Sequence, residues 1–229
     1  FLKRIFFIEI WYIYSYIALI SYRVYLKVMS ISINYKNITS EIKPSNIVLF
    51  VDEKFNLSNL KKHILNSEYL YISDLLKVRK NKDKIVTFEI SSKKKFFLVS
   101  VKNNFKVSEA ENLGAKFYDI FKDLKQYEYN VNSDTLPIKS KNFVGYFLHG
   151  LKLKSYYFEK YKTKKNNKKI SITLGGKNKI SAKDQIKFKA IQEGAFYTRD
   201  LVSEPGNILH PDEYARRLKL LSKDGLKIN

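Results

Sequence analysis

Three histidines, 22 acidic residues and no cysteine are what this 229-residue chain offers for catalytic or metal chemistry. His63, His149 and His210 are isolated from one another, and no H-x-x-x-H pair sets two imidazoles on one helical face at zinc-binding spacing. His149 and His210 read instead as packing and capping residues. Without cysteine there is no thiolate metal site, no thiol nucleophile and no disulfide framework, and a reducing, cytoplasmic setting fits best. Gly175 and Gly176 read as a turn, since neither G-x-G-x-x-G nor P-loop spacing surrounds them. The sequence therefore singles out no catalytic, metal-binding or substrate-binding residue.

The most informative stretch is AIQEGAFYTRDLVSEPGNILHPDEYARR, residues 190–217. It reads as helix, sharp turn, helix. Ile186, Ala190, Ile191, Gly194, Thr198 and Leu201 form a narrow stripe of mainly small and apolar side chains, which lets another backbone approach closely. Pro205 stops the first helix, and Gly206 can supply a positive φ for the turn. Pro211 suits the first position of the next helix, where its missing N–H costs nothing, and Asp212 and Glu213 follow at the positive helix end.

The elements that must position this stretch alternate between strand-like and helix-like patterns. Residues 30–38 alternate apolar and polar side chains, and 46–51 form a short apolar run. Leu57, Leu60, Ile64, Leu65, Leu70, Leu75 and Leu76 recur at helical spacing. Strands follow over 85–90 and 96–101, joined by the polar SSKKK turn. Ser108, with Glu111 three residues later, predicts a capped helix over 109–124 that buries Leu113, Phe117, Ile120, Phe121 and Leu124. A strand over 127–131, a helix over 141–157 with Phe143, Phe147, Leu148 and Leu151 on one side, and a strand over 170–174 come next. Ser181 then caps a helix to about Val202, and a last helix covers 212–221. The order β-β-α-β-β-α-β-α-β-α-α predicts an α/β fold: a three-layer sandwich with a central mixed sheet, followed by a linker helix and the start of a second α/β domain. The expected divisions are an apolar extension over 1–28, an N-terminal α/β domain over 29–180, a linker helix and turn over 181–206, and the start of a truncated catalytic domain over 207–229.

The long helix carrying E-G-x-x-x-x-R-D-L-x-x-x-P-x-N, followed by a P-x-E-x-A-x-R helix, resembles the linker of the leucyl (cytosol) aminopeptidase family. Glu193, Gly194, Arg199, Asp200, Leu201, Pro205, Asn207, Pro211, Glu213 and Ala215 carry the match. Gly145, Leu148, Tyr156, Phe158, Tyr161, Lys162 and Thr163 are similar to an upstream pattern of the same family, with some slack in spacing. Ser203 and Gly206 stand where the family often has Asn and Ala. The resemblance implies a metalloaminopeptidase that releases N-terminal amino acids, leucine among them, from peptides. It implies two divalent ions (zinc or manganese) held by carboxylates and a lysine, a homohexamer and a cytoplasmic location. The ligand motif of that family, N-T-D-A-E-G-R, does not occur in this sequence. The resemblance thus implies a non-catalytic, inactive N-terminal part that binds no metal, with peptide substrates bound elsewhere in the protein.

A formal charge of +21 invites a rival reading, a basic nucleic-acid-binding module without catalysis. Only Arg4, Arg23, Arg79, Arg199, Arg216 and Arg217 among the 43 basic residues are arginine, the side chain best suited to phosphate and guanine. Abundant Lys, Asn, Ile, Tyr and Phe are what an AT-rich genome writes. Residues 139–189 hold 15 lysines against Glu159 and Asp184, which reads either as solvated linker and helix faces or as a DNA-binding strip. Within 1–28, IFFIEIWYIYSYIALISY approaches the length of a bilayer-spanning helix. It reads as a membrane anchor, an uncleaved signal-like segment, or sequence upstream of a true start at Met29, the single methionine; the last reading makes membrane binding unlikely to be its role.

Overall fold

The computed structural model describes residues 31–35, 46–79, 83–124, 127–137, 142–163 and 169–228. The apolar extension, Met29 and residues 164–168 of the lysine-rich strip lie outside this set. Among the described residues no helix is long and apolar enough to cross a membrane.

Among the described residues six strands form one mixed sheet: β1 (Ile31–Asn34), β2 (Asn46–Asp52), β3 (Ile85–Ser91), β4 (Lys94–Val101), β5 (Glu128–Asn132) and β6 (Ile170–Gly175). Their spatial order is β1-β6-β5-β2-β4-β3. All neighbours run parallel except β3, which returns antiparallel on β4 through the turn predicted between them. The centre of the sheet is β2, whose NIVLFVD sequence is apolar on both faces because helices cover both. Val48 and Phe50 point to one core, Leu49 and Val51 to the other.

On one face lie α2 (Val107–Phe121) and α3 (Phe143–Lys154); on the other lie α1 (Asn66–Val78) and a 3-10 turn at Ser58–Lys62. Two further helices follow, the 22-residue α4 (Ala182–Ser203) and the 10-residue α5 (Pro211–Leu220). The order of strands and helices is the one the sequence pattern predicts, and the sandwich has three layers. Phe50 meets the edges of Phe143 and Phe147 at 5.7 and 5.6 Å between centroids, and Phe97 meets Phe117 at 5.3 Å. Edge-to-face packing of this kind adds to the burial of the rings themselves.

Helices α2 and α3 cross at two glycines. A Cβ on Gly114 would collide with the Phe147 carbonyl, and one on Gly150 with the Glu111 carbonyl. Each glycine lets the backbone of the other helix sit where a side chain would stand.

Several local expectations need correction. Helix α2 starts before Ser108: the Lys106 N–H donates to the Glu109 carboxylate at 3.0 Å, so Glu109, not Glu111, closes the first turn. The Lys106 N–H holds the Glu109 carboxyl below its usual range. Ile120 is exposed, and Leu124 only half enters the core. In α1 Ile72 is buried and Tyr69 and Leu76 pack partly on the core, while Leu70, Leu75 and, at the N-cap, Leu65 face outward. Of the 30–38 pattern, Ile31–Asn34 form edge strand β1 and Tyr35 does not, while Ser30 and residues 36–38 lie outside the described set.

Candidate functional site at the α4–α5 elbow

The family-like residues converge where α4 ends, the chain turns, and α5 begins. Ser181 caps α4 as expected, its Oγ accepting from the Asp184 N–H at 3.0 Å. Twenty-two residues later the helix stops at Pro205, whose carbonyl accepts from the Ile208 and Leu209 N–H groups, both at 2.9 Å. Gly206 is not left-handed in this turn; the positive-φ glycines among the described residues are Gly176 and Gly225. Pro211 takes the first turn of α5 with Asp212 and Glu213 behind it. His210 occupies the cap position but makes no side-chain capping bond.

The buried face of α4 is not the small-residue stripe. Ile186 and Ile191 are exposed, and nothing lies within 4 Å of a Cβ built on Gly194. Of the stripe only Leu201 is buried; Phe188, Phe196 and Asp200 face inward with it. Two phenyl rings bury far more apolar area than alanine, glycine and threonine, so they set the rotation of the helix. Phe188 packs against Tyr146 and His149 at 5.2 and 5.1 Å and fills the space over Gly145, where a Cβ would lie 2.6 Å from its ring.

Asp200 and Arg199 reach back to the segment after α3. Tyr156 Oη donates to Asp200 Oδ1 at 2.8 Å, and burial raises the Asp200 carboxyl, with this hydrogen bond working against the rise. Arg199 donates to the Leu153 carbonyl at 2.5 Å, with its guanidinium 5.5 Å from the Tyr156 ring centroid and 5.9 Å from that of Phe196. The family-like residues Gly145 and Tyr156 thus lie against α4. Lys162 lies over the Tyr157 ring at 4.1 Å, and Phe158 packs with Tyr161 at 5.9 Å.

Glu204 is the hub, and the sequence did not mark it. Its side chain is 2% exposed and accepts from Lys160, Tyr161 and Arg217 Nη1, the last at 2.9 Å. Burial pushes the Glu204 carboxyl up, but these three donors together bring it below its usual range. Arg217 also binds Glu213 through Nε at 2.8 Å, and Arg216 holds the same carboxylate at 2.6 and 2.7 Å. The two guanidiniums hold Glu213 down at about 2, led by Arg216. Tyr197 Oη donates to the Arg217 carbonyl at 3.1 Å. One signal was available: Glu204 immediately precedes the helix-stopping Pro205, and Arg217 lies 13 residues on.

This cluster is built to hold an angle. Its carboxylates are occupied by arginine, lysine and tyrosine donors. Glu193 pairs only loosely with Lys189, at 3.8 Å. Among the described residues no three histidine, aspartate or glutamate side chains come together as a metal-holding group, so the metal pair implied by the resemblance does not fit these residues. The histidines are dispersed: His63 Nδ1 lies 3.3 Å from Asn132 Nδ2, and His149 Nδ1 lies 2.9 Å from Glu111 Oε1. In the lysine-rich strip, Lys152 is buried against the Ile31 carbonyl, Lys154 pairs with Asp119 at 3.4 Å, and Lys160 pairs with Glu204.

Fold and elbow together define an α/β sandwich that continues into a braced helix–turn–helix. No family profile matches the chain. Among curated proteins it is 38% identical over 90 residues to a probable cytosol aminopeptidase of Sinorhizobium medicae, a match covering 36% of this chain and 18% of that protein. It is 40% identical over 87 residues to the probable cytosol aminopeptidase of Caulobacter vibrioides, covering 34% and 17%. Among solved structures, a tomato leucine aminopeptidase mutant matches 85% of this chain and 42% of its own with a TM-score of 0.64 at 16% identity. The cytosol aminopeptidase of Coxiella burnetii matches 85% and 38% with a TM-score of 0.55 at 15% identity. Over about 90 residues the chain is similar in sequence to these cytosol aminopeptidases, and its fold matches about two fifths of the leucine and cytosol aminopeptidase structures. The sequence matches span less than a fifth of the length of those curated relatives.

Proposed function

We propose that this chain is the non-catalytic N-terminal part of a metal-dependent leucyl aminopeptidase, with residues 29–180 as the N-terminal domain, 181–206 as the linker and 207–229 as the opening of the catalytic domain. The observation that carries the reading is the elbow. The family-like Arg199, Asp200 and Pro205 coincide there with a buried ionic brace, Glu204–Arg217, that fixes how α5 leaves the sandwich. A segment that only joined two independent modules would need no such brace.

In this reading the sandwich supports assembly and restricts access to the active site, while catalysis and both divalent ions, zinc or manganese, belong to residues outside this chain. The whole protein releases N-terminal amino acids from peptides in the cytoplasm as a hexamer. The test is hydrolysis of leucyl-4-nitroanilide by the complete gene product, with and without a chelator, alongside residues 29–229 alone. Chelator-sensitive turnover by the former and none by the latter is expected. Turnover by 29–229, or none by the complete product with zinc or manganese supplied, overturns the reading. Light scattering on the complete product checks the hexamer.

A further inference from the structure

The sheet ends at β3, which pairs with β4 on one side and with nothing among the described residues on the other. The Ser100 N–H donates to the Lys84 carbonyl at 2.7 Å, which sets the phase of the antiparallel ladder. Even-numbered residues of β3 therefore turn their main-chain groups to β4, and the N–H and C=O groups of Ile85, Thr87 and Glu89 point outward. A register shift between Glu89 and Ser91 ends this straight edge. Such an edge is a template for a further strand.

Beside the edge, on the α1 face of the sheet, runs an open groove of about 500 Å³ lined by Tyr71, Leu75, Val78, Arg79, Thr87, Phe88 and Glu89. Its helical wall is apolar and exposed: Tyr71 46%, Leu75 41% and Val78 81%. Its polar side chains are Arg79, Thr87 and Glu89, the last neutralised by Lys95. One guanidinium nitrogen of Arg79 reaches Asp83 at 3.4 Å, while Nε is buried with no hydrogen-bond partner. A buried donor left unpaired costs free energy that an incoming acceptor recovers. The chain as a whole carries +21, which opposes the approach of a second copy and favours an acidic visitor.

We propose that β3 and α1 form a docking groove for an extended acidic segment of a partner protein. The segment adds as an antiparallel or parallel strand to the outward groups of Ile85, Thr87 and Glu89. Its alternate side chains enter the Tyr71–Leu75–Val78 trough, and one carboxylate meets Arg79.

The probes are two end-blocked, fluorescein-labelled peptides, one alternating valine with glutamate and one alternating valine with lysine, titrated into the full chain and followed by anisotropy. The glutamate peptide should bind about tenfold or more tightly than the lysine peptide. Arg79→Gln should weaken it about tenfold. Val78→Glu, at a position exposed enough to spare the fold, should weaken it as well. Thr87→Pro removes an outward N–H that β4 does not use and should abolish binding. Hydrogen exchange of the Thr87 and Glu89 amides should slow when the glutamate peptide is added. Equal binding of both peptides, no binding of either, or indifference to Val78→Glu and Arg79→Gln overturns the proposal. So does a dimer in sedimentation that Thr87→Pro dissociates, because a second copy would then hold the edge. If Thr87→Pro fails to fold, Val78→Glu and the exchange experiment decide.

Discussion

Arg217 reaches across the α4–α5 turn to Glu204, Nη1 to Oε1 at 2.9 Å, onto a carboxylate whose side chain is 2% exposed. The same arginine holds Glu213 on its own helix, so one guanidinium ties the end of α4 to the start of α5.

Replacing Glu204 by alanine leaves Lys160 and Arg217 facing each other without their shared anion. The expected loss is about 2–3 kcal/mol, read as a lower urea midpoint, with faster proteolysis at the 205–210 turn. An unchanged midpoint and cleavage rate would mean that the turn is held by its backbone alone.

Acid should release the elbow before the sandwich. Glu204 and Glu213 both have folded-state carboxyls below their usual range, Glu213 at about 2. Groups depressed on folding stabilise the native state above their unfolded values, near 4.5, and that contribution is lost as pH falls toward 2. The Glu213 side chain is 20% exposed, so its share of the effect is modest. Hydrogen exchange in 204–217 should quicken between pH 4.5 and pH 2 ahead of β2, after correction for intrinsic rates.

Lys152 predicts a slope of the same sign in alkali. Burial brings its ammonium down to about 8, and its partner among the described residues is the Ile31 carbonyl. Between that value and the ordinary 10.5 the unfolded chain binds the extra proton, so stability contributed by this site rises with pH. Lys152→Met should raise stability at pH 7 by about 1 kcal/mol, the lost hydrogen bond offsetting part of the relieved charge burial. The difference between wild type and variant should shrink by pH 10. A variant less stable at both pH values would show that the bond to β1 outweighs the burial.

Glycines predict two signs. Gly114→Ala drives a methyl into the Phe147 carbonyl and should cost about 3 kcal/mol or prevent folding. Gly194→Ala meets nothing within 4 Å on a helix interior and should stabilise the chain by roughly 0.5–1 kcal/mol. Urea titration of the two variants reads both.

The fold was legible because strands and helices differ in period. The run at Asn46–Asp52 and the face of Phe143, Phe147, Leu148 and Leu151 are dominated by large apolar groups whose burial leaves no choice. Rotation about α4 was not legible. Phe188 and Phe196 compete with a small-residue stripe, and which side wins depends on the pocket that Gly145 and Tyr146 provide from a distant helix. The hub at Glu204 was hidden for the same reason, since Lys160, Tyr161 and Arg217 come from both sides of it in sequence and meet only in the folded chain. Helix α2 was misplaced at its start because a backbone-to-Glu109 bond competes with a serine cap, and only the local geometry chooses between them.

The position of β1 bears on how the protein is made. Ser32 hydrogen-bonds the Ile170 carbonyl across 138 residues of sequence, and among the described residues β1 pairs with β6 alone. At about 5–20 residues per second of synthesis, roughly ten seconds or more pass between emergence of the two partners. Throughout that interval β1 has no edge to join, and β5 lacks its outer neighbour. Nascent chains stalled before residue 170 should therefore carry an open parallel edge, the state in which a chaperone has the most to cover.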